Sequence, residues 1–191
     1  MAKVFPFHGY RYNQKQVKEL EKVVTQPYDK IDNVLQEEYY KRSPYNIVRL
    51  ILGKEEDRYQ SAADSLENWI KDQILIRDQK AGFYLYTQEY LVDGEKFVRK
   101  GFVGLGELEA GEGVKAHENT MEGPKADRLN LIRATEANFG HIFMLYSDQK
   151  NEINKLFKNI MKKEALFQVR DEDQNLHKVW QLTDSELIKE I

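Results

Sequence analysis

Residues 83–108 constrain the fold more than any other stretch. Residues 83–91 alternate aromatic and polar side chains (F-Y-L-Y-T-Q-E-Y-L), the period-two signature of a strand with one buried face. Asp93-Gly94 follows, and residues 97–108 resume as a second strand. An Asp-Gly pair between two such runs is a strong short-range signal for a hairpin. A hairpin makes the two strands antiparallel, which argues against a doubly wound parallel sheet. With helix-like segments on both sides, the chain reads as α+β: a mixed, largely antiparallel sheet with flanking helices.

The remaining elements fit that frame. Residues 3–7 look like a short strand. Residues 15–24 carry apolar residues at helical spacing and end before the Gln26-Pro27-Tyr28-Asp29 turn. Asn33 suits the cap of a helix running to about Arg42, which Ser43-Pro44 stops. Residues 46–52 read as an apolar strand broken by Gly53. The clearest helix places Tyr59, Ala62, Ala63, Leu66, Trp69 and Ile70 on one face. Residues 141–146 read as a buried strand. Ile153, Leu156, Phe157, Ile160 and Met161 mark a second amphipathic helix. Residues 167–170 and 177–182 form strands around the acidic turn Asp171-Glu172-Asp173, and a last helix begins near Thr183 or Asp184. There is no repeat, low-complexity segment or Pro/Gly-rich linker, so residues 1–191 are read as a single α+β domain.

Composition narrows the function classes. The 191 residues suffice for a sizeable core. With 29 basic and 32 acidic residues and a net charge of −3, nothing in the charge favours nucleic acid as a partner. Cysteine is absent, which excludes disulfides, thiolate metal sites and a thiol nucleophile. The first residues, M-A-K-V-F-P-F, lack a signal-peptide core, and no apolar run approaches the ~20 residues of a membrane span. A cytoplasmic protein with no membrane partner is expected.

The densest chemistry lies at residues 117–128, H-E-N-T-M-E-G-P-K-A-D-R. Pro124 suits the first position of a helix running to about Ala137. A loop entering a helix there offers backbone N–H groups and the positive end of the helix dipole to an anion. Lys125 and Arg128 add positive charge, and Thr120 and Asn119 are candidate donors to a phosphate oxygen. His117 and Glu118 are candidates for proton transfer. Asp127 is expected to pair with Lys125 or to orient Arg128. Arg128 shares a face with Leu131, Ile132 and Thr135, so its guanidinium is expected to lie over apolar surface. The competing reading is a capped turn whose polar residues satisfy one another. His117-Glu118 does not make the zinc pattern H-E-x-x-H, because Met121 stands where the second histidine is needed. No metal site is expected.

Two lesser candidates follow. The rigid Gln26-Pro27-Tyr28-Asp29 turn could fix Tyr28 and Asp29 against a ligand, or simply terminate a helix. Arg49, inside the apolar run at 46–52, faces solvent or, if buried, needs an anionic partner. Gly101, Gly104 and Gly106 do not follow the dinucleotide order G-x-G-x-x-G and read as bulge or close-packing positions. His8 suits a turn, His141 a structural role and His177 a strand edge, while Trp69 and Trp180 read as core.

Taken in order, P-F-H-G-Y-R-Y-N, Q-P-Y-D, S-P-Y-N-I-V-R-L, R-Y-Q-S-A-A-D-S-L-E-N-W, F-Y-L-Y-T-Q-E-Y, G-F-V-G-L-G-E-L, H-E-N-T-M-E-G-P-K-A-D-R-L-N-L-I-R-A-T and I-F-M-L-Y-S-D span about residues 2–190. This series resembles the bacterial and archaeal family known as domain of unknown function 1015 (DUF1015), in which the His117 loop is a hallmark motif. Family members are longer. Their second half carries A-D-G-H-H-R-Y-E-T-A, similar to the G-x-H-R box with which ParB nucleotidases, sulfiredoxins and free-serine kinases hold nucleotide phosphates. This chain has no such segment. The resemblance therefore implies the N-terminal part of a longer family-type protein, or a shortened relative. It leaves the cofactor unknown, with a nucleotide and Mg2+ expected only in a complete protein.

The resemblance also implies a link to serine metabolism, through the company the family's genes keep, which is an association and not a mechanism. The expected function is binding of a small phosphorylated or carboxylated metabolite, with phosphoryl transfer as its catalytic form. The alternative is a non-catalytic ligand-sensing or protein-docking module.

Overall fold

The computed structural model describes residues 3–107, 114–115, 121–189 and 191. In chain order the elements are β1 (Val4–Phe5), β2 (Tyr10–Tyr12), short 3₁₀ turns at Leu20–Lys22 and Tyr28–Lys30, α1 (Asn33–Arg42), α2 (Val48–Ile51), α3 (Arg58–Lys71), β3 (Leu75–Arg77), β4 (Phe83–Val92), β5 (Glu95–Val103), β6 (Leu105–Gly106), α4 (Glu122–Thr135), α5 (Glu152–Ile160), β7 (Phe167–Arg170), β8 (Leu176–Leu182) and α6 (Ser185–Ile188). Helices with antiparallel sheets make this the expected α+β fold. Among the described residues no helix is long and apolar enough to cross a membrane. Backbone contacts group the chain into two compact units.

One unit comprises residues 3–9, 77–107, 114–115, 142–189 and 191. It holds a four-stranded antiparallel sheet in the order β5-β4-β8-β7. Asp93 (φ 51°) and Gly94 (φ 81°) both take positive φ, as a two-residue hairpin turn demands, and Val92 pairs with Glu95. Alternation sends Phe83 and Leu85 of β4 to the same face as Trp180 and Leu182 of β8. There they pack with Leu156, Phe157 and Ile160 of α5. Each such burial stabilises by about 1.5–3 kcal/mol. Of the three glycines in G-F-V-G-L-G, only Gly104 is a close-packing position. A Cβ there would stand 2.6 Å from the Phe83 ring, whereas one at Gly101 or Gly106 meets nothing within 4 Å.

Residues 141–146 do not form the expected buried strand. A continuous apolar run has no period that separates strand from loop, and among the described residues this one joins no ladder. Ile142 and Leu145 are 81% and 88% exposed. The segment touches β5 only through side chains, Arg99 over the Phe143 ring and Phe102 edge-on to Tyr146. His177 is the second residue of β8, at the end of that strand, and β8 is an inner strand of the sheet. His8 lies in no turn; its Nδ1 stands 2.9 Å from the carbonyl of Asp78.

The other unit comprises residues 10–76 and 121–141 and contains α1 to α4. Here α1 is capped by Asp32, one residue ahead of Asn33: its carboxylate accepts from the Leu35 N–H at 2.8 Å. Asp57 caps α3 in the same way through Gln60. The expected helix at 15–24 is only a 3₁₀ turn. The buried residues of the segment, Val17, Leu20 and Val23, recur every three positions, and only Leu20 lies within the turn itself. The expected strand at 46–52 is the short helix α2. Asn46, fully buried, explains the change. Its Oδ1 accepts from the Val48 N–H at 3.0 Å, starting the turn, while Nδ2 donates to the Lys22 carbonyl at 2.8 Å. Helix α4 starts at Glu122, leaving Pro124 third and not first. An N–H is dispensable there too, since the first turn has no intrahelical acceptors.

Because Asn46 satisfies backbone groups on two segments, Asn46→Ala leaves buried polar atoms without partners. It is expected to lower stability by about 1–3 kcal/mol, read in urea as a lower midpoint with an unchanged slope.

Candidate functional site

The second unit gathers charge around one carboxylate. Asp127 and Leu131 are four apart on α4, hence on one face, and Leu131 is buried. That face packs against α3, whose first residues are Arg58 and Tyr59. Arg58 Nη2 donates to Asp127 Oδ1 at 2.6 Å and the Tyr59 hydroxyl donates to the same oxygen at 2.8 Å. Arg128 Nε donates to Asp127 Oδ2 at 2.8 Å, and its Nη2 donates there as well. The same Nη2 donates to the Ile51 carbonyl, at the end of α2, at 2.9 Å. The Arg128 guanidinium lies 4.3 Å from the centre of the Tyr28 ring, a cation–π contact.

These groups border a shallow depression that Ile51 and Gly53 also line. A Cβ at Gly53 would come within 3.2 Å of the Arg58 Cβ, so glycine keeps the wall of the depression close to that arginine. Two guanidinium groups and one carboxylate leave one net positive charge. Among the described residues no partner engages the Nη1 groups of Arg58 and Arg128. Such donors are suited to carboxylate or phosphate oxygens.

Burial alone would raise the Asp127 carboxyl. Hydrogen bonds from Arg128 and Tyr59, with the charges of both arginines, outweigh it and hold the group below the usual carboxylate range.

The structure therefore brings together three of the residues singled out from sequence: Tyr28, Asp127 and Arg128. Asp127 orients Arg128 and leaves Lys125 to an exposed pair with Glu122 at 3.3 Å. Arg128 does lie over apolar surface, but that surface is Tyr28 from a distant turn. Asp29 is exposed and, among the described residues, no hydrogen bond ties it to the cluster. Arg49 is not a solvent-facing strand residue and, among the described residues, is not paired with an anion. It sits on α2 with its guanidinium 4.3 Å from the Tyr40 ring centre, donates to the Tyr40 carbonyl at 3.0 Å, and keeps a buried Nε without a hydrogen-bond partner. His117, Glu118, Asn119 and Thr120 lie outside the described residues. Arg58 and Tyr59 were missed. Their only sequence signal is a basic-aromatic pair directly after a capping aspartate, and nothing in the spacing links position 58 to 127. Among the described residues no group of three or more His, Asp or Glu side chains is placed to hold a metal ion.

The family model described as "Protein of unknown function (DUF1015)" matches residues 4–191. The chain belongs to this family. No curated protein and no solved structure matches the chain. The chemistry of this DUF1015 site is therefore read from its own geometry.

A carboxyl whose folded pKa is depressed contributes stability above its unfolded value and loses it as pH falls through the folded one. Stability of this DUF1015 chain is expected to fall on acidification below about pH 4, and Asp127→Asn should flatten that part of the curve. Urea unfolding across pH 2–7, wild type against variant, checks it.

Proposed function

We propose that this chain binds a small phosphorylated or carboxylated metabolite at the Arg58–Asp127–Arg128 cluster. One observation carries the reading: two guanidinium groups share a single carboxylate, so the cluster keeps a net positive charge and, among the described residues, unpartnered donors beside a depression. Asp127 holds both arginines in place before a ligand arrives, which lowers the ordering cost of binding. Tyr28 supports the flat face of Arg128. Lys125, Asn119 and Thr120, close in sequence, are the further candidates for contacting the anion.

The catalytic form of this reading is phosphoryl transfer linked to serine metabolism. It is supported by the motif 117–128 and by the resemblance that motif carries. Positioning and charge stabilisation do most of the work in such transfers, which is the task this cluster suits. His117 and Glu118 are the candidates for handling the proton. A nucleotide with Mg2+ is the cofactor that such a transfer would use. A second reading, a protein-docking module, is supported by the exposed apolar run from Ile142 to Tyr146.

Thermal unfolding with inorganic phosphate and with O-phospho-L-serine tests the binding. A ligand that binds only the folded state raises the melting temperature by mass action. The expected result is a rise in the wild type that Arg128→Ala and Arg58→Ala each reduce, with affinity weakened by about tenfold or more. Arg58→Lys, which keeps charge without the planar fork, should fall between. If neither anion moves the wild-type melting temperature, the binding reading fails and the docking reading takes its place.

A further inference from the structure

The four-stranded sheet has a second face, opposite the one packed on α5. Because Phe83 and Leu85 point to the core, Tyr84, Tyr86 and Gln88 of β4 point the other way. Gln88 pairs with Arg99 on one side and His177 on the other, and Tyr86 pairs with Gly101.

Three titratable groups form a chain on this face. Asp171, at the end of β7, receives hydrogen bonds at 2.8 Å from both the backbone N–H and the side-chain amide of Asn175. Its Oδ2 stands 2.9 Å from His177 Nε2, and His177 Nδ1 stands 2.6 Å from the Tyr86 hydroxyl. The Tyr86 and His177 rings are stacked, 5.9 Å between centres. All three are partly buried. The polarity of the chain follows from the donor inventory. Ionised Asp171 can only accept, so the Nε2 of a neutral His177 carries the proton. Its Nδ1 then accepts, and the Tyr86 hydroxyl donates inward. The Tyr86 oxygen is left presenting lone pairs.

Two further observations describe the space and charge beside this chain. Gly101, directly across from Tyr86, leaves open space where any other residue would put a side chain. Arg99 lies two residue pairs further along, on the same face, over the rings of Tyr90 and Phe143. Among the described residues it has no carboxylate partner. Its hydrogen bond to Gln88 Oε1 is 3.4 Å long. Burial pushes the Tyr86 hydroxyl up, the Arg99 charge pulls it down and Asp171 raises it again. The net rise keeps the phenol protonated at neutral pH.

We propose that Asp171, His177 and Tyr86 form a proton relay serving a small ligand that carries a carboxylate beside a hydroxyl or ammonium group. Arg99 holds the carboxylate. The ligand's O–H or N–H donates to the Tyr86 oxygen. In a full transfer the ligand's proton moves to Tyr86 as the Tyr86 proton moves to His177 Nδ1, giving an imidazolium against the Asp171 carboxylate. No other bond changes. This site shares no residue with the Arg58–Arg128 cluster.

The test is nitrogen-15 NMR of the His177 ring in the 191-residue protein, with glycine and glycolate as probes. Acetate, which lacks the donor, and ethanolamine, which lacks the anion, are controls. The expected result is a ring protonated at Nε2 in the free protein, whose nitrogens shift with glycine or glycolate and not with either control. Arg99→Gln and Tyr86→Phe should each weaken the response by about tenfold or more. Arg99→Lys should retain most of it, and Arg128→Ala should leave it unchanged. An Nε2 without its proton, or His177 nitrogens unmoved by both probes, overturns the proposal. So does an equal response in Arg99→Gln with the remaining spectrum intact.

Discussion

A single carboxylate organises the helical unit. Asp127 receives Arg58 and Tyr59 from α3 and Arg128 from its own helix, and Arg128 carries the connection on to the end of α2 and to the Tyr28 ring. Four separate segments thus depend on one acidic side chain. A half-buried guanidinium without a partner is costly, and two of them close together would also repel. Removing Asp127 would leave both. The same arrangement that secures the helices leaves more positive than negative charge beside the depression, so structure and candidate chemistry rest on one set of contacts.

The sheet unit works by a different logic. Register decides which residues share a face, and a one-residue slip would exchange the two faces entirely. The Asp93-Gly94 turn pins the β4–β5 register, and the β4–β8 pairing then puts Phe83 and Leu85 against α5 and Tyr86 next to His177. The apolar face supplies the stability. The opposite face is free to carry polar groups. There Tyr86, His177 and Asp171 are linked in one direction of hydrogen bonding, and Asn175 donates to the same Asp171 carboxylate from the other side.

Legibility varied with the kind of signal. The Asp-Gly hairpin, the amphipathic helices α3 and α5 and the acidic turn before β8 were readable, because each repeats a local pattern that needs no distant partner. The segments around Val17 and Asn46 were misread for an opposite reason. Their conformation depends on side chains that bond or bury against chain far away, as Asn46 does with Lys22. At residues 141–146 an apolar run promised burial that the structure does not provide. In the candidate site, Asp127 and Arg128 stood out through composition, whereas Arg58 looked like any charged residue at a helix start.

What the sequence by itself determined is the fold class, the family and the neighbourhood of the α4 cluster, since period, turn chemistry and motif order are local properties of the chain. Only the tertiary structure decided that Asp127 joins Arg58 to Arg128, that Tyr28 lies beneath the latter, and that Tyr86 meets His177. These pairs are 69, 100 and 91 residues apart. No local pattern encodes such distances. Packing of helix faces and strand register brings them together.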